Sequence, residues 1–408
     1  MRRSRFIASA AATSAVAIAS PALAASLPPA NVTLGNDVFL RENWQSLQGR
    51  GVGIITNQTG VTSRLQSTVD AIRRNPAIKL KAIYAPEHGF RGDRTAGAYV
   101  PSYTDAQTGL PVYSLYGPTR HPSKEMLRGI DVLLFDIQDV GSRAYTFIST
   151  MAYAMETAKA YDIEFWVLDR PNPLGGTTVE GPVLEPAYKS FIGLYPILMR
   201  HGMTIGELAK LFNDHFGIGA RLRVVPMNGW QRSMIWPDTG LQWVQSSPNI
   251  PDWQTTFVFM TTGLLDNAGV NNGTGFTKPF FYAGTYGLDG NALANHMNAR
   301  NLPGVFFRPA AWSPIAGFWK DKELSGVELV VFDPSAFLGI RTSVELLTGV
   351  RDIAPHAIDV KATELARDWG TDTLRTGLIA GESADAILEQ WTASTDRFKS
   401  LRTAYLLY

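Results

Sequence analysis

Short apolar runs alternate with amphipathic segments between about residues 50 and 170 of the chain. This alternation is typical of β-α-β units, in which a helix returns the chain to the start of the next parallel strand. The apolar runs predict buried strands at residues 52–55, 80–84, 131–135 and 164–168. The amphipathic segments predict helices at residues 68–74, 123–127 and 147–160. The pattern therefore predicts an α/β fold with a mainly parallel sheet.

A stretch rich in proline and glycine at residues 171–186 predicts the end of this first domain. Beyond it, Thr204 and Glu207 form a capping-box pattern at the start of a predicted helix over residues 204–216. Strands are predicted at residues 222–226, 305–308 and 327–332, and a closing helix at residues 383–401. We therefore expect one domain over residues 35–188 and a smaller α+β domain over residues 189–408 that walls a cleft.

Polar segments follow all four predicted strands of the first domain. They read TNQTG at 56–60, APEHG at 85–89, DIQDVG at 136–141 and DRPNP at 169–173. Open α/β sheets bind ligands at the carboxyl ends of their strands, so these segments are expected to converge on one cleft. Any one of them is equally well explained as a turn, because Gly, Pro, Asn and Asp are ordinary turn formers. Four such segments at one sheet edge favour a site.

Carboxylates in these segments are the candidate catalytic groups. Glu87 follows a proline at a strand end, where a carboxyl group is held rigidly at the rim of a cleft. Hydrolysis of a glycosidic bond normally needs such an acid to protonate the leaving oxygen. Asp136 and Asp139 flank a turn, and either could be the second carboxylate or could fix the segment 143–145. The alternative role of Glu87 is structural, as a cap of the turn at residues 89–92.

Composition narrows the class of protein and its compartment. Three arginines, an alanine-rich apolar stretch and a small-residue site predict a secretory signal peptide over residues 1–24, cleaved after Ala24. A retained membrane anchor would need a longer and more apolar run, so no stable anchor is expected after cleavage. Removal of the signal changes the net charge from +1 to about −2, which leaves no basic surface for nucleic acid. The protein is therefore expected in the periplasm or outside the cell.

The sequence gives little support for a metal or a cofactor. It contains no cysteine, which excludes disulfides, thiolate metal sites and a cysteine nucleophile. The six histidines show no pair at metal-ligand spacing, and there is no phosphate-binding loop or dinucleotide-binding turn. His88 could still assemble a metal site in space with Asp136 or Asp139. No cofactor is expected, and a metal-dependent hydrolase of another cell-wall bond is kept as an alternative.

The polar segments belong to longer motifs that resemble, in sequence and in order, the bacterial exo-β-N-acetylmuramidase family. These motifs are GIITNQTGV (53–61), APEHGFRGD (85–93), TGLPVYSLYG (108–117), DVLLFDIQDVGSRAYT (131–146), VLDRPNPLGG (167–176), VEGPVL (179–184) and RHGMTIGELAKLFN (200–213). The resemblance extends from about residue 52 to the C-terminal residue Tyr408. It implies a Rossmann-like N-terminal domain joined to a smaller C-terminal domain. It also implies exolytic release of N-acetylmuramic acid from the non-reducing end of peptidoglycan-derived disaccharides or glycan chains.

The resemblance also implies roles for individual residues. The catalytic glutamate of the family maps to Glu87, and polar groups of the neighbouring segments are expected to line the pocket. Muramic acid carries a lactyl carboxylate, for which an arginine fork is the natural partner, whereas solvated surface arginines are the alternative. The candidate substrate-binding residues are Asn57, Gln58, His88, Arg91, Gln138, Arg143, Tyr145, Asp169, Arg170, Asn172 and Asp266.

One segment departs from the family pattern. Members carry a loop with two glutamates and an arginine ahead of a T-x-P-F sequence, whereas residues 262–275 here read TGLLDNAGVNNGTG. Asp266 replaces one glutamate, and the second glutamate and the arginine are missing. A non-catalytic muropeptide-binding protein is therefore the second hypothesis.

Overall fold

A seven-stranded sheet organises the N-terminal half of the chain in the computed structural model, which describes residues 27–360 and 362–408. The predicted signal peptide at residues 1–24 lies outside the described residues. The strands are β1 (Gly51–Thr56), β2 (Lys79–Ala85), β3 (Tyr103–Thr104), β4 (Pro111–Ser114), β5 (Val132–Asp136), β6 (Glu164–Leu168), β7 (Glu180–Val183), β8 (Leu198–Arg200), β9 (Arg221–Val225), β10 (Tyr282–Thr285), β11 (Val305–Trp312) and β12 (Leu324–Val331).

Helices cover this sheet and build most of the C-terminal half. The α-helices are α1 (Gly35–Val38), α2 (Thr68–Arg73), α3 (Phe147–Ala160), α4 (Ile205–Lys210), α5 (Gln254–Thr262), α6 (Gly290–Ala299), α7 (Gly339–Ile353), α8 (Ala362–Trp369), α9 (Thr373–Ala380) and α10 (Ala384–Arg402). π-helical turns at Phe39–Asn43 and Leu211–His215 continue α1 and α4. Short 3₁₀ turns lie at Trp44–Leu47, Pro186–Tyr188, Trp236–Thr239, Asp266–Ala268, Pro355–Ala357 and Thr403–Tyr405.

The strand order of the large sheet is β3-β4-β2-β1-β5-β6-β9. All neighbours are parallel except β3 and β4. The chain winds from β1 through β2 to β4, and then returns to place β5 on the other side of β1. This is a Rossmann-like order, and it leaves a crevice between the loops that follow β1 and β5. The predicted α/β class and the four predicted strands are confirmed.

Both faces of the sheet are covered, which explains why its central strands read as continuous apolar runs. Every residue of β1 and of β5 is buried. Val52 and Ile54 point to one face and pack in a cluster with Ile72 of α2. Ile55 points to the other face, where its cluster includes Met151 of α3. The period of two in a strand thus divides β1 between two separate apolar layers.

The sheet extends past residue 188, where the sequence pattern predicts a domain boundary. Strand β9 pairs with β6 along its whole length, so the N-terminal sheet is completed only at Val225. Arg221 and Arg223 alternate along β9 and are not buried, which is typical of an edge strand. An edge strand gives no continuous apolar run, and for that reason the sequence pattern does not assign β9 to the first sheet. The capping box that opens α4 is present as predicted.

The C-terminal half is an α+β unit that shares an apolar core with the sheet. Strands β10, β12 and β11 form an antiparallel sheet in that order, packed against α6. Helix α10 packs against β7, and Trp369 of α8 stacks on Trp391 of α10 with ring centroids 5.9 Å apart. One buried cluster contains side chains from both halves. In residues 27–360 and 362–408, no helix is long and apolar enough to cross a membrane.

The C-terminal residue is fixed beneath the end of β6. The hydroxyl of Tyr408 donates to Asp169 Oδ2 over 2.7 Å and accepts from the backbone N of Met227 over 2.7 Å. The backbone N of Leu407 donates to Glu207 Oε1 over 2.8 Å, and Arg232 bonds both Glu207 and the Tyr408 carbonyl. The closing segment of the chain is therefore part of the support of the N-terminal sheet.

Removal of the Tyr408 hydroxyl is expected to lower the free energy of unfolding by about 1–3 kcal/mol, because the buried Asp169 carboxylate loses a donor. Burial raises the pKa of Asp169 to about 7, well above its value in the unfolded chain. Ionisation of Asp169 in the folded protein is therefore unfavourable, and the resulting loss of stability builds up as pH rises from the unfolded pKa of 3.8 to the folded pKa of about 7 and is constant above it. The loss in Tyr408→Phe should be larger near pH 8 than near pH 5, as measured by urea unfolding.

Tyr405→Phe is the matched control, because the hydroxyl of Tyr405 makes no hydrogen bond among the described residues. Equal losses at the two pH values, or equal losses in the two variants, would contradict the role given to the contact between Tyr408 and Asp169.

Candidate active site

The loops that follow β1 and β5 meet at the crevice of the Rossmann-like sheet. Thr59 joins them, since its hydroxyl donates to Asn57 Oδ1 over 2.6 Å and accepts from the backbone N of Gln138 over 2.9 Å. Gln138 Nε2 in turn donates to the carbonyls of Asp139 and Pro171, each over 2.8 Å. Because the carboxyl ends of parallel strands lie at one edge, these short contacts hold three of the predicted segments together.

Several buried polar atoms at this edge have no protein partner among the described residues. They are Asn57 Nδ2, Gln58 Oε1, Gln138 Oε1 and Asp139 Oδ1. Buried polar groups in folded proteins are almost always hydrogen-bonded, and atoms that lack a protein partner are available to water or a ligand. The predicted residues of the β1 and β5 loops therefore come together and keep hydrogen-bonding capacity.

Glu87 lies at the end of β2, next to β1 in the sheet, and its side chain is held by two donors. The backbone N of Gly97 donates to Oε1 over 3.0 Å, and the hydroxyl of Thr146 donates to Oε2 over 2.6 Å. Thr146 is the N-cap residue of α3, but its side chain makes no bond within the helix. The carboxyl group thus lies beside the N-cap residue of α3. The geometry fixes the orientation of the Glu87 carboxyl group.

Tyr116 is a further neighbour of Glu87. Burial, followed by the charge of Glu87 and a hydrogen bond to it, raises the pKa of Tyr116 to about 12. The phenol therefore keeps its proton over the neutral range and can donate to the carboxylate. Tyr116 follows β4, the neighbour of β2, so it lies at the same edge of the sheet as Glu87.

The loop after Glu87 is closed by its own backbone and by His88. His88 adopts φ +69°, which is uncommon for a residue other than glycine. Its Nδ1 donates to the carbonyl of Arg94 over 2.8 Å, and the backbone N of Arg94 donates to the His88 carbonyl over 3.2 Å. Arg91 pairs with Asp105 over 2.7 Å. These contacts fix the loop that carries Glu87 at the rim.

Gln58 connects that loop to a later part of the chain. Its Nε2 donates to the carbonyl of Gln245 over 2.7 Å, and a Cβ at Gly92 would lie 2.2 Å from its amide carbon. Gly92 has φ +71° as well, so a larger residue there would meet both backbone strain and a collision. Tyr145, whose hydroxyl donates to Ser246 Oγ over 2.9 Å, makes a second contact to the 245–247 segment.

Asp136 is engaged in a buried ion pair. Its Oδ1 accepts from Arg170 Nε over 2.6 Å, and its Oδ2 accepts from Asn36 Nδ2 over 3.2 Å. Arg170 also donates to the carbonyl of Val61 over 2.8 Å. Both side chains are shielded from solvent, so this geometry gives Asp136 and Arg170 a structural role instead of the predicted catalytic and substrate-binding roles.

Asp139 keeps one carboxylate oxygen without a protein partner. Its Oδ2 accepts from the backbone N of Gly141 over 2.8 Å and lies 3.7 Å from His201 Nε2. The backbone N of Met203 donates to His201 Nδ1 over 3.2 Å, so this nitrogen is the acceptor and the ring proton belongs on Nε2, toward Asp139. Of the two aspartates that the sequence leaves open as second carboxylate, the geometry favours Asp139.

Arg143 does not present its guanidinium to the crevice. It is fully buried, and its two terminal nitrogens donate to the carbonyls of Pro182, Ile197 and Trp369 over 2.9, 3.1 and 2.7 Å. Burial lowers the pKa of Arg143 to about 9. The N–H groups that could bind a ligand carboxylate already donate to these carbonyls. The position of Arg143 therefore does not support the predicted contact with the substrate.

Three other predicted residues also serve the fold. Asp169 accepts from Arg170 N, Gly206 N, Thr204 Oγ1 and Tyr408. Asn172 bridges the carbonyl of Met203 and the backbone N of Leu174. Asp266 is exposed in the 262–275 loop, and its recorded bond is to the backbone N of Asn267. Asn271 and Asn272 of this loop are buried and bond within the C-terminal half.

Groups of three or more His, Asp or Glu side chains that could hold a metal ion do not occur in residues 27–360 and 362–408. Among these residues, His88 therefore belongs to no such group with Asp136 or Asp139, which the alternative metal site would require.

Sequence reasoning did not single out Tyr116, Thr146 or His201 as site residues. Tyr116 follows a strand that the sequence pattern does not predict, because β4 is short and begins with a proline. Thr146 and His201 both belong to motifs of the family resemblance. A threonine at a helix N-cap and a histidine just before another N-cap are the signals that could have pointed to them.

Comparisons with known proteins cover nearly the whole described chain. Residues 52–254 match the family described as "Exo-beta-N-acetylmuramidase NamZ, N-terminal", and residues 257–408 match "Exo-beta-N-acetylmuramidase NamZ, C-terminal". The "Peptidoglycan beta-N-acetylmuramidase NamZ" of Bacillus subtilis strain 168 is 45% identical over 378 residues, which are 92% of this chain and 91% of that protein.

Solved structures from Bacteroides fragilis NCTC 9343 share the fold. A crystal structure of a DUF1343 family protein has 38% sequence identity and a TM-score of 0.87, over 93% of this chain and 100% of that chain. A second DUF1343 family protein has 28% identity and a TM-score of 0.75, over 92% and 99% of the two chains. The similarity therefore includes both halves of the molecule.

The two aspartates of the β5 loop are expected to respond differently to replacement by asparagine. Asp136→Asn should lower the free energy of unfolding by about 3–5 kcal/mol, because it leaves the buried Arg170 without its counter-charge. An amide at position 136 would also face the donating amide of Asn36. Asp139→Asn can keep the bond to Gly141 and should cost about 1 kcal/mol or less. Urea unfolding of both variants measures the difference, and similar losses would contradict it.

Proposed function

The chain belongs to the exo-β-N-acetylmuramidase family, and from that premise we propose that it releases N-acetylmuramic acid from the non-reducing end of peptidoglycan fragments. The substrates are peptidoglycan-derived disaccharides or longer glycan chains. The observation that carries the proposal is the position of Glu87, whose carboxyl group is oriented by Gly97 and Thr146 at the carboxyl edge of the sheet.

Glu87 acts as the acid that protonates the glycosidic oxygen as the bond to the leaving sugar breaks. Glycosidases generally need such a proton donor, because an alkoxide is a poor leaving group in water. The fixed orientation supports this role, since a proton donor must lie within hydrogen-bond reach of one particular oxygen. Thr146 and Tyr116 serve as positioning residues that act through Glu87.

Asp139 is the second carboxylate of the reaction. One of its oxygens is bonded to Gly141 and faces His201, while the other has no protein partner among the described residues. A carboxylate in this position can stabilise positive charge that develops on the sugar ring, or can activate water. His201 orients Asp139 and does not contact the sugar.

One side of the crevice is closed, which supports the proposal that the protein acts on the end of a glycan chain. The segment 245–247 is tied to Gln58 and to Tyr145, so it passes over the loops that follow β1 and β5. Phe259 of α5 packs edge-on against Tyr145 with ring centroids 5.8 Å apart. A crevice walled in this way admits a terminal sugar more readily than the middle of a glycan strand.

Glu87→Gln is expected to lower the rate of N-acetylmuramic acid release by about 10²- to 10⁴-fold, because the amide cannot donate the proton that the leaving oxygen needs. The amide oxygen can still accept from the backbone N of Gly97, and the amide nitrogen can donate to the Thr146 hydroxyl, so the fold should be unchanged. Release of free N-acetylmuramic acid from a disaccharide that ends in this sugar measures the effect. Glu323→Gln, at an exposed glutamate of the C-terminal half, is the matched control.

Three outcomes would contradict the proposal in different ways. Wild-type protein that binds the disaccharide without releasing sugar would indicate a muropeptide-binding protein. Release that is lost with a chelator and restored by a metal would indicate a metal-dependent hydrolase. Release that survives Glu87→Gln would move the acid role to another group.

The site of action is proposed to lie outside the cytoplasm. The basis is the sequence of residues 1–24, with its arginines, its alanine-rich apolar run and the small residues before Ala25. The mature protein recovered from the periplasm or the medium is expected to begin at Ala25, as determined by N-terminal sequencing. Recovery of the chain from the cytoplasm with residues 1–24 intact would contradict export.

A further inference from the structure

The arginines expected to bind the substrate carboxylate are largely engaged elsewhere. Arg143 and Arg170 are buried and bonded within the protein, and Arg91 is paired with Asp105. The proposed function nevertheless requires recognition of a lactyl carboxylate, because this group distinguishes muramic acid from glucosamine. A guanidinium that is not already paired within the protein is the natural partner for that carboxylate.

Arg120 has the environment that this task requires. Its guanidinium carbon lies 3.9 Å from the centroid of the Phe191 ring and 5.4 Å from that of Tyr116. Phe191 stacks on Tyr153, with ring centroids 5.9 Å apart and an interplanar angle of 20°. Cation-π contacts of this kind orient a guanidinium without using its N–H donors. Arg120 is exposed, and it makes no hydrogen bond or ion pair among the described residues.

Arg120 and Glu87 share Tyr116 as a neighbour. The Tyr116 ring centroid lies 5.4 Å from the Arg120 guanidinium carbon, and burial followed by the charge of Glu87 raises the pKa of the Tyr116 hydroxyl. Both Tyr116 and Arg120 belong to the loop that follows β4, and β4 lies next to β2, which Glu87 follows by two residues. Arg120 therefore lies at the same carboxyl edge of the sheet as Glu87.

We propose that Arg120, presented by Phe191 and Tyr116, binds the lactyl carboxylate of the terminal N-acetylmuramic acid and determines specificity for this sugar. The proposal rests on the proposed function. A guanidinium presents two parallel N–H donors that match the two oxygens of a carboxylate. Because the guanidinium carbon of Arg120 lies over the Phe191 ring, the side chain is already ordered and loses little conformational entropy when the carboxylate binds.

The test compares substrates that differ only in the lactyl group. Aryl β-N-acetylmuramide and its lactyl methyl ester are hydrolysed by wild type, Arg120→Gln and Arg120→Lys, and kcat/KM is measured for each. Wild type is expected to prefer the free acid by about tenfold or more, as one charge-assisted contact provides. Arg120→Gln should reduce this preference to near one, mainly through KM. Arg120→Lys should give an intermediate preference, since it keeps the charge and loses the fork.

Binding measurements make the test independent of turnover. Calorimetric titration with free N-acetylmuramic acid and with its lactyl methyl ester should show the same loss of preference in Arg120→Gln. Arg128→Gln is the matched control, because Arg128 is an exposed arginine in the turns that lead into β5, at the opposite ends of the strands. An unchanged preference for the acid in Arg120→Gln, by either measurement, would overturn the assignment. Absence of turnover in wild type would count against the proposed function, while the titration would still decide the role of Arg120.

Discussion

The rest of the structure depends on a fully buried carboxylate at the end of β6. Asp169 accepts from the backbone nitrogens of Arg170 and Gly206 and from the hydroxyls of Thr204 and Tyr408. These donors offset much of the cost of removing the carboxylate from water, although burial still raises its pKa to about 7. The contact is close enough that a Cβ at Gly206 would lie 2.7 Å from the carboxyl carbon. The end of the sheet, the start of α4 and the last residue of the chain are therefore fixed relative to one another.

This constraint extends to the crevice through the neighbouring residues. Arg170 follows Asp169 directly, and its guanidinium reaches across to Asp136 at the end of β5. His201 lies just before the start of α4, where Arg402 of α10 donates to its carbonyl over 3.2 Å and its ring faces Asp139. The buried charges thus hold the loops in register, and the groups proposed to carry the chemistry depend on that register for their orientation. An ion pair of this kind is costly to break even if it adds little net stability.

The sequence pattern predicts the central sheet well, because strands buried on both faces are continuous apolar runs. The four predicted strands agree with β1, β2, β5 and β6 to within a residue or two, and the helix predicted at residues 147–160 is α3. The sequence pattern does not assign two outer strands to this sheet. Strand β4, next to the edge, is short and begins with proline, and the edge strand β9 has arginine at alternate positions. The segment 123–127, predicted as helix, is a series of turns. Residues at an edge bury less apolar surface, so their pattern carries less information.

The site is predicted less completely than the sheet, because the sequence does not show how deeply each side chain is buried. A motif at a strand end indicates at which edge of the sheet a side chain lies. It does not indicate how far beyond the sheet that side chain lies. Asp136 is the last residue of β5 and Asp169 the first residue after β6, and both are 0% exposed. Glu87 lies two residues beyond β2 and Asp139 three residues beyond β5, and their exposures are 8% and 6%.

A polar residue at the last position of a central strand is surrounded by neighbouring strands and must be paired inside the protein. Two or three residues farther along, the chain has left the sheet, and a carboxylate can face the crevice while its backbone is still fixed. In parallel α/β sheets of this kind, charged residues at the strand terminus should therefore be interpreted first as structural, and those just beyond it as candidates for chemistry.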